Sequence, residues 1–440
     1  MFSCSRLLFG DNRSAHWFVL LHLALQTLFI FPYLQLPVRH MKLAIDDSTL
    51  VAPADTNLCH QYHKLYSSMA SDLGLQIKAH DPALDKAYEP SLVGGNVLGL
   101  ILHLPSRSWS VSQMKMNHIS EVFSQVVNVQ AVFLPVLATL KDTQEVAGLV
   151  TDFSKSSQLI RTLAMLVNAE RNEFTVRFSS ENIKDKQDQS KFCLFSFHAR
   201  KNLTLIRAIL LNTDICPLPM EMSGARFLQG GAADFSFYCD ASGKPKEIAD
   251  GAYAPTCLGS YRPRTVSHHT ATLKSFILPY DWLKSYDKHG QVYHHTSLLE
   301  LLPVLCELLD QPQLYQGRVL HFLTDNQATA AIFRRQNPAS ESTAYILEAI
   351  NLTEMALGCR IKMSWQRRRS SYGMVLADDA THADHSSADS SIKCTRQSLP
   401  VPLFNVLHQP GHYLSHQLHH LRKQIKLYLR DKCPSAQFPV

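Results

Sequence analysis

The run Phe235-Ser-Phe-Tyr-Cys-Asp-Ala-Ser-Gly243 constrains the fold more than any other stretch of the chain. Its aromatic and apolar residues predict a buried β-strand, and Asp-Ala-Ser-Gly stops that strand with a turn signal. A strand of this kind sits inside a sheet and holds one carboxylate, Asp240, at the sheet's rim. Taken alone, an Asp before a Gly turn is accounted for by turn chemistry. The functional reading depends on whether other acids join it.

Three more are placed to do so. His295-Thr-Ser-Leu-Leu-Glu300-Leu-Leu opens an apolar helix, although Ser297 with Glu300 also fits a capping box. Gly317-Arg-Val-Leu-His-Phe-Leu-Thr-Asp325-Asn326 is a second strand ending in an acid, and Asp325 would also serve as the N-cap of the helix that follows. Val375-Leu-Ala-Asp378-Asp379 reads as a helix start, where an acid complements the helix dipole. Together the four acids lie on strand, helix, strand and helix. Pro303 falls inside the helix that carries Glu300, so a kink is expected there. The polar runs 244–250 and 262–290 make the second and third strands of this sheet hard to place.

Elsewhere the pattern is less chemical. Ile119, Val122, Phe123, Val126 and Val127 recur at helical spacing, as do Leu159, Ile160, Leu163, Leu166 and Val167. A polar loop is expected from Ser179 to Lys191 and a further helix around Leu203 to Leu211. Near the C-terminus a basic helix, Leu414 to Leu429, carries Leu418, Leu421, Ile425 and Leu429 on one face. Upstream, Met41-Lys-Leu-Ala-Ile-Asp-Asp-Ser-Thr-Leu50 predicts a hairpin whose tip holds Asp46 and Asp47. Paired carboxylates there suit a shared divalent cation, or form an ordinary Asp-Asp turn.

With 440 residues there is room for two or three domains, and a net charge of +6 permits a nucleic-acid partner without arguing for one. Ten cysteines without a Cys-x-x-Cys pair indicate neither a zinc ribbon nor a thioredoxin-like site and read as reduced, partly buried thiols of an intracellular protein. Trp17 to Val38 is nearly uncharged and about long enough to cross a bilayer. His16 just before it, with His22, Gln26, Pro32 and Gln35 within it, favours a buried helix followed by a strand over a signal anchor or signal peptide.

Ala44-Ile-Asp-Asp47 resembles the Tyr-x-Asp-Asp hairpin of reverse transcriptases, with Ala in the aromatic position. Leu8-Phe-Gly10, Ser14 and Trp17-Phe18 before it are similar to the preceding palm segment. Leu73-Gly-Leu75, Val97-Leu-Gly-Leu100 and Trp109 to Lys115 after it are similar to later palm elements, and Lys141 to Gly148 to part of the thumb. Cys239-Asp240-Ala-Ser-Gly243, Leu299-Glu300, Thr324-Asp325-Asn326 and Ala377-Asp378 resemble the motifs of retroelement RNase H domains. The order matches a reverse transcriptase/RNase H polyprotein of a DIRS-like or related retrotransposon, truncated at its N-terminus.

The resemblance implies an α/β chain with an α+β palm remnant (1–112), a helical thumb and connection (113–228), an RNase H-like mixed-sheet domain (229–390) and a basic helical tail (391–440). Asp240, Glu300, Asp325 and Asp378 would hold Mg²⁺, or Mn²⁺ in its place, with Asp379 as the substitute for the last. Hard divalent ions favour such carboxylate oxygens. Arg367, Arg368 and Arg369 would meet nucleic-acid backbone, or form a solvated basic loop. The implied activity is two-metal hydrolysis of RNA in an RNA/DNA hybrid, in the cytoplasm or nucleus. Asp46 and Asp47 lack the third palm acid, so nucleotide addition is not expected. The alternative is an inactive remnant that binds nucleic acid at most.

Overall fold

The computed structural model describes residues 24, 30–34, 41–44, 47–50, 57–72, 94–97, 100–154, 156–179, 192–219, 233–242, 247–249, 252–253, 257–265, 269–278, 296–338, 340–382, 392–408 and 417–436. The chain divides into two units, Met1–Met116 with Asn212–Pro219, and Asn117–Leu211 with Met220–Val440.

In the first unit, β1 (Met41–Ala44) and β2 (Asp47–Leu50) form an antiparallel pair with Ala44 opposite Asp47. Asp47 therefore opens the second strand of the expected hairpin. Asp46 and the Asp47 side chain lie outside the described residues. Helix α1 (Leu58–Asp72) follows. Strands β3 (Gly94–Val97), β4 (Leu100–His103) and β5 (Ser108–Val111) run antiparallel in sequence, and Leu218–Pro219 pairs along β5. Most of the apolar stretch 17–38 is outside the described residues. Among those described, no helix is long and apolar enough to cross a membrane.

The next part of the chain is helical, as its periodicity predicts: α2 (Gln113–Ser124), α3 (Leu140–Ser154), α4 (Gln158–Ser179) and α5 (Phe197–Leu211). Ile119, Val122, Phe123, Val126 and Val127 are all buried, as are Ile160, Leu163, Leu166 and Val167. Residues 180–191 of the expected polar loop lie outside the described residues.

The second unit is built on a six-stranded mixed sheet, which places the protein in the α/β class. Its elements in chain order are β6 (Phe235–Ala241), β7 (Cys257–Arg262), β8 (Thr272–Ile277), α6 (Thr296–Asp310), β9 (Val319–Thr324), α7 (Gln327–Arg335), α8 (Glu341–Leu357), β10 (Arg360–Trp365), α9 (Tyr372–Ala380) and β11 (Cys394–Ser398). The spatial order is β10-β9-β6-β7-β8-β11. β6, β7 and β8 are antiparallel neighbours, while β9 runs parallel to both β6 and β10, and β11 runs parallel to β8.

Side chains alternate across this sheet with period two. Phe235 and Phe237 of β6 point to one face, where Phe237 stacks on Phe322 at 4.7 Å and both meet the ring of Tyr315 edge-on. Helix α6 packs against β6 and β7. Its Leu298, Leu301, Leu302, Val304, Leu305 and Leu308 are buried, and it continues past Pro303 to Asp310. Lys274 of β8 is buried beside it and donates to Glu307 at 2.8 Å and Asp310 at 2.9 Å. On the other face, Tyr238, Tyr261 and Leu273 pack with Leu376, Ala377 and Ala380 of α9.

Helix α8 links the sheet to the helical region. It packs against both α6 and α4, and its buried Glu354 accepts hydrogen bonds from Gln158 Nε2 (2.8 Å) and the Ile361 N–H (3.0 Å). Residues beyond 391 belong to the same unit. β11 extends the sheet, then α10 (Val401–Leu407) and α11 (Leu421–Lys432) pack on each other and α11 packs on α8. The four apolar residues expected on one face, Leu418, Leu421, Ile425 and Leu429, are buried. Arg422 pairs with the buried Glu348 at 3.3 Å.

Candidate active site

The four acids arrive at one rim of the sheet from four elements. Asp240 comes from the end of β6, Glu300 from the second turn of α6, Asp325 from the residue after β9, and Asp378 from α9. β6 and β9 run parallel and side by side, with Cys239 opposite Thr324, so Asp240 and Asp325, the next residue of each, fall at the same rim. Carboxylate oxygens of Asp240, Glu300 and Asp325 lie within 4.8 Å of one another. Among the described residues no histidine or cysteine joins such a group.

The local explanations open to each acid in the sequence do not describe what they do here. Helix α6 already includes Ser297, and the Glu300 carboxylate accepts from Thr324 Oγ1 at 2.9 Å. Thr324 is fully buried, and its oxygen also accepts from the Asn326 N–H at 3.1 Å. The N-cap of α7 is Asn326, whose side chain accepts from the Thr329 N–H, which leaves Asp325 free of that task. Asp378 sits in the second half of α9, beyond the first turn where the helix dipole would favour it. It is Asp378 that faces the other acids, through the same cation as Asp240 and Asp325; no such contact is found for Asp379 among the described residues.

That cation is Arg368. Its Nε donates to Asp325 Oδ2, its Nη1 pairs with Asp378 Oδ1 at 3.1 Å, and its Nη2 pairs with Asp240 Oδ1 at 3.4 Å. The Arg367-Arg-Arg369 run is thus divided. Arg367 and Arg369 are exposed on the surface, while the guanidinium between them turns into the acids.

One guanidinium does not offset four crowded carboxylates. Burial pushes the Asp240 carboxyl up to about 7; Arg368 opposes the shift, and a hydrogen bond with Asp378 and the charges of Asp325 and Asp378 add to it. Burial raises Glu300 well above the usual carboxylate range, the charges of Asp240 and Asp325 add to this, and the Thr324 hydroxyl and Arg368 oppose it. Buried carboxylates that repel each other in this way favour a bound divalent cation. The all-oxygen donor set fits Mg²⁺ or Mn²⁺ and gives a soft metal nothing to bind.

Three contributors had no assigned role in the sequence. Thr324 orients Glu300. Trp365, half exposed at the end of β10, donates from Nε1 to the Asp325 carbonyl at 3.0 Å and so fixes the turn carrying that acid. Gly259 of β7 stands directly opposite Asp240 and faces the Ala377 carbonyl, allowing α9 to lie close on the sheet. The nearest signal for them was adjacency: Thr324 and Trp365 flank acidic or basic motifs, and Gly259 interrupts a strand.

No model of a known protein family matches the chain, and no curated protein sequence matches it.

Proposed function

We propose that the second unit is an RNase H-type endonuclease that hydrolyses the RNA strand of RNA/DNA hybrids, in a chain derived from a retroelement reverse transcriptase/RNase H polyprotein. The observation that carries this reading is the convergence of Asp240, Glu300, Asp325 and Asp378 from strand, helix, strand and helix. They are the four acids, in the order of elements, that the resemblance requires. Asp240, Glu300 and Asp325 would hold Mg²⁺, which when bound supplies an activated water and charge stabilisation for the leaving oxygen.

The chain's own residues account for the rest. Thr324 holds the Glu300 carboxylate toward its neighbours. The Trp365 and Tyr372 side chains are large and exposed, at 50% and 62%, and bracket the loop that carries Arg367 and Arg369. An exposed aromatic pair next to two free-standing arginines suits a nucleic-acid strand, with phosphates on the guanidiniums and a sugar or base on the rings. For the Asp46-Asp47 hairpin we propose descent from a polymerase palm.

The test is cleavage of an end-labelled RNA/DNA hybrid by the full chain in Mg²⁺ or Mn²⁺. Cleavage of the RNA strand is expected, with a loss of at least about 100-fold in Asp240→Asn and Asp325→Asn, the scale on which removing one electrostatic element of an active site is felt. Binding of the hybrid without cleavage would assign the chain to the alternative, an inactive nucleic-acid-binding remnant. Cleavage unchanged in Asp240→Asn would remove the active site from this position.

A further inference from the structure

We propose that the Arg368 guanidinium is a built-in cation filling one side of the carboxylate cluster, so that the free protein binds one divalent ion and admits a second only when Arg368 withdraws. This rests on the proposed metal site at the four acids.

The four acids divide into two overlapping sets. Asp240, Glu300 and Asp325 are close enough to share one ion. Asp240, Asp325 and Asp378 are already joined through Arg368, each by a different nitrogen of the guanidinium. Glu300 is the acid that forms no ion pair with Arg368 among the described residues, and its described hydrogen bond is to Thr324. The ion site on the Glu300 side is therefore open to a cation while Arg368 is in place. The Asp378 side has one.

Arg368 is held there by its loop as well as by charge. At one end, the Gln366 N–H donates to the Thr324 carbonyl at 2.9 Å and Trp365 is tied to the Asp325 carbonyl. At the other, Ser371 caps α9 by accepting from the Met374 N–H. Between these anchors the chain makes a short 3-10 turn, Arg368–Ser370. Both anchors belong to elements that carry the acids Arg368 touches. A guanidinium stays charged at any pH the protein survives and spreads its donors in a plane, so it can span three carboxylates where an ammonium would satisfy fewer. Its side chain is nonetheless 47% exposed, so withdrawal toward solvent requires no opening of the core.

The experiment counts ions instead of turnover. Mn²⁺ is titrated into metal-free full-length protein and the stoichiometry read by calorimetry and by loss of the free-ion paramagnetic signal. Wild type is expected to bind one ion per chain and Arg368→Gln two, with Arg368→Gln/Asp378→Asn returning to one. In the wild-type background, Asp378→Asn is expected to keep one ion with affinity within about threefold, which tests the same assignment should Arg368→Gln fail to fold. Two ions in wild type, one in folded Arg368→Gln, or loss of the ion in Asp378→Asn would overturn the proposal while leaving a metal site at the acids. No ion in either wild type or Arg368→Gln would overturn the metal site itself.

Discussion

Gly259→Ala tests how α9 delivers Asp378. A Cβ at position 259 would fall well inside 3.0 Å of the Ala377 carbonyl oxygen and lie 3.1 Å from Thr381 Cγ2. The first obstacle is helix backbone and cannot rotate away. To bring that contact back to tolerable range, α9 must retreat from β7 by about 1 Å, or β7 must bulge by as much; a packed interior resists either. Overpacking of this kind costs roughly 1–3 kcal/mol, a fall in melting temperature of roughly 1–5 °C for a unit of this size. Asp378 follows Ala377 directly, so the displacement is passed to it almost undiminished. A misplacement near 1 Å at a reacting centre costs about 100-fold in rate. Thermal unfolding and the hybrid-cleavage assay should therefore fall together, while the ion at Asp240, Glu300 and Asp325 is retained. Unchanged melting with unchanged cleavage would show that the close approach of α9 at Gly259 is dispensable and would refute the reasoning.

Three other expectations follow from buried polar groups. Thr324→Val removes the hydroxyl that Glu300 accepts from and should cost roughly 1–3 kcal/mol in urea unfolding, with Thr324→Ser restoring most of it. Lys274→Met strands Glu307 without its cation and should destabilise by roughly 3–5 kcal/mol; adding Glu307→Leu should recover part of that loss, and a double variant no better than the single would count against a coupled pair. Burial pushes Glu170 up to about 7, opposed by hydrogen bonds from the Ser196 hydroxyl and N–H. Because the folded protein holds this proton more tightly than the unfolded chain, stability should fall as pH rises from about 4.5 to about 7, by up to about 3 kcal/mol. In Glu170→Gln that slope should flatten; an unchanged slope would place the titration elsewhere.

The sequence was most informative where an apolar run stopped at an acid. β6 and β9 each end at or beside a carboxylate, and Phe235, Phe237, Leu320 and Phe322 mark their cores. β7 and β8 gave no such signal because their buried residues are partly polar. Arg262 at the end of β7 is buried with its guanidinium over the Phe235 ring at 5.5 Å, and Lys274 and Ser275 of β8 are buried too. Strands that bury charge against distant partners break the alternation by which strands are read. The same holds for the last strand. Cys394-Thr-Arg-Gln-Ser398 is a polar edge that no local pattern separates from a linker. Arg368 was legible as basic, but its direction depends on three acids up to 128 residues away.

The parallel pairing of β8 with β11 also has a consequence for synthesis. Leu273 is matched with Cys394, about 120 residues later in the chain. While a ribosome makes the intervening α6, β9, α8 and α9, the outer edge of β8 has no partner from its own sheet. A bare strand edge is a template for pairing with other chains, and slow long-range closure prolongs that exposure. The sheet is thus completed from its C-terminal end, and a chain stopped short of β11 would be left with the β8 edge open.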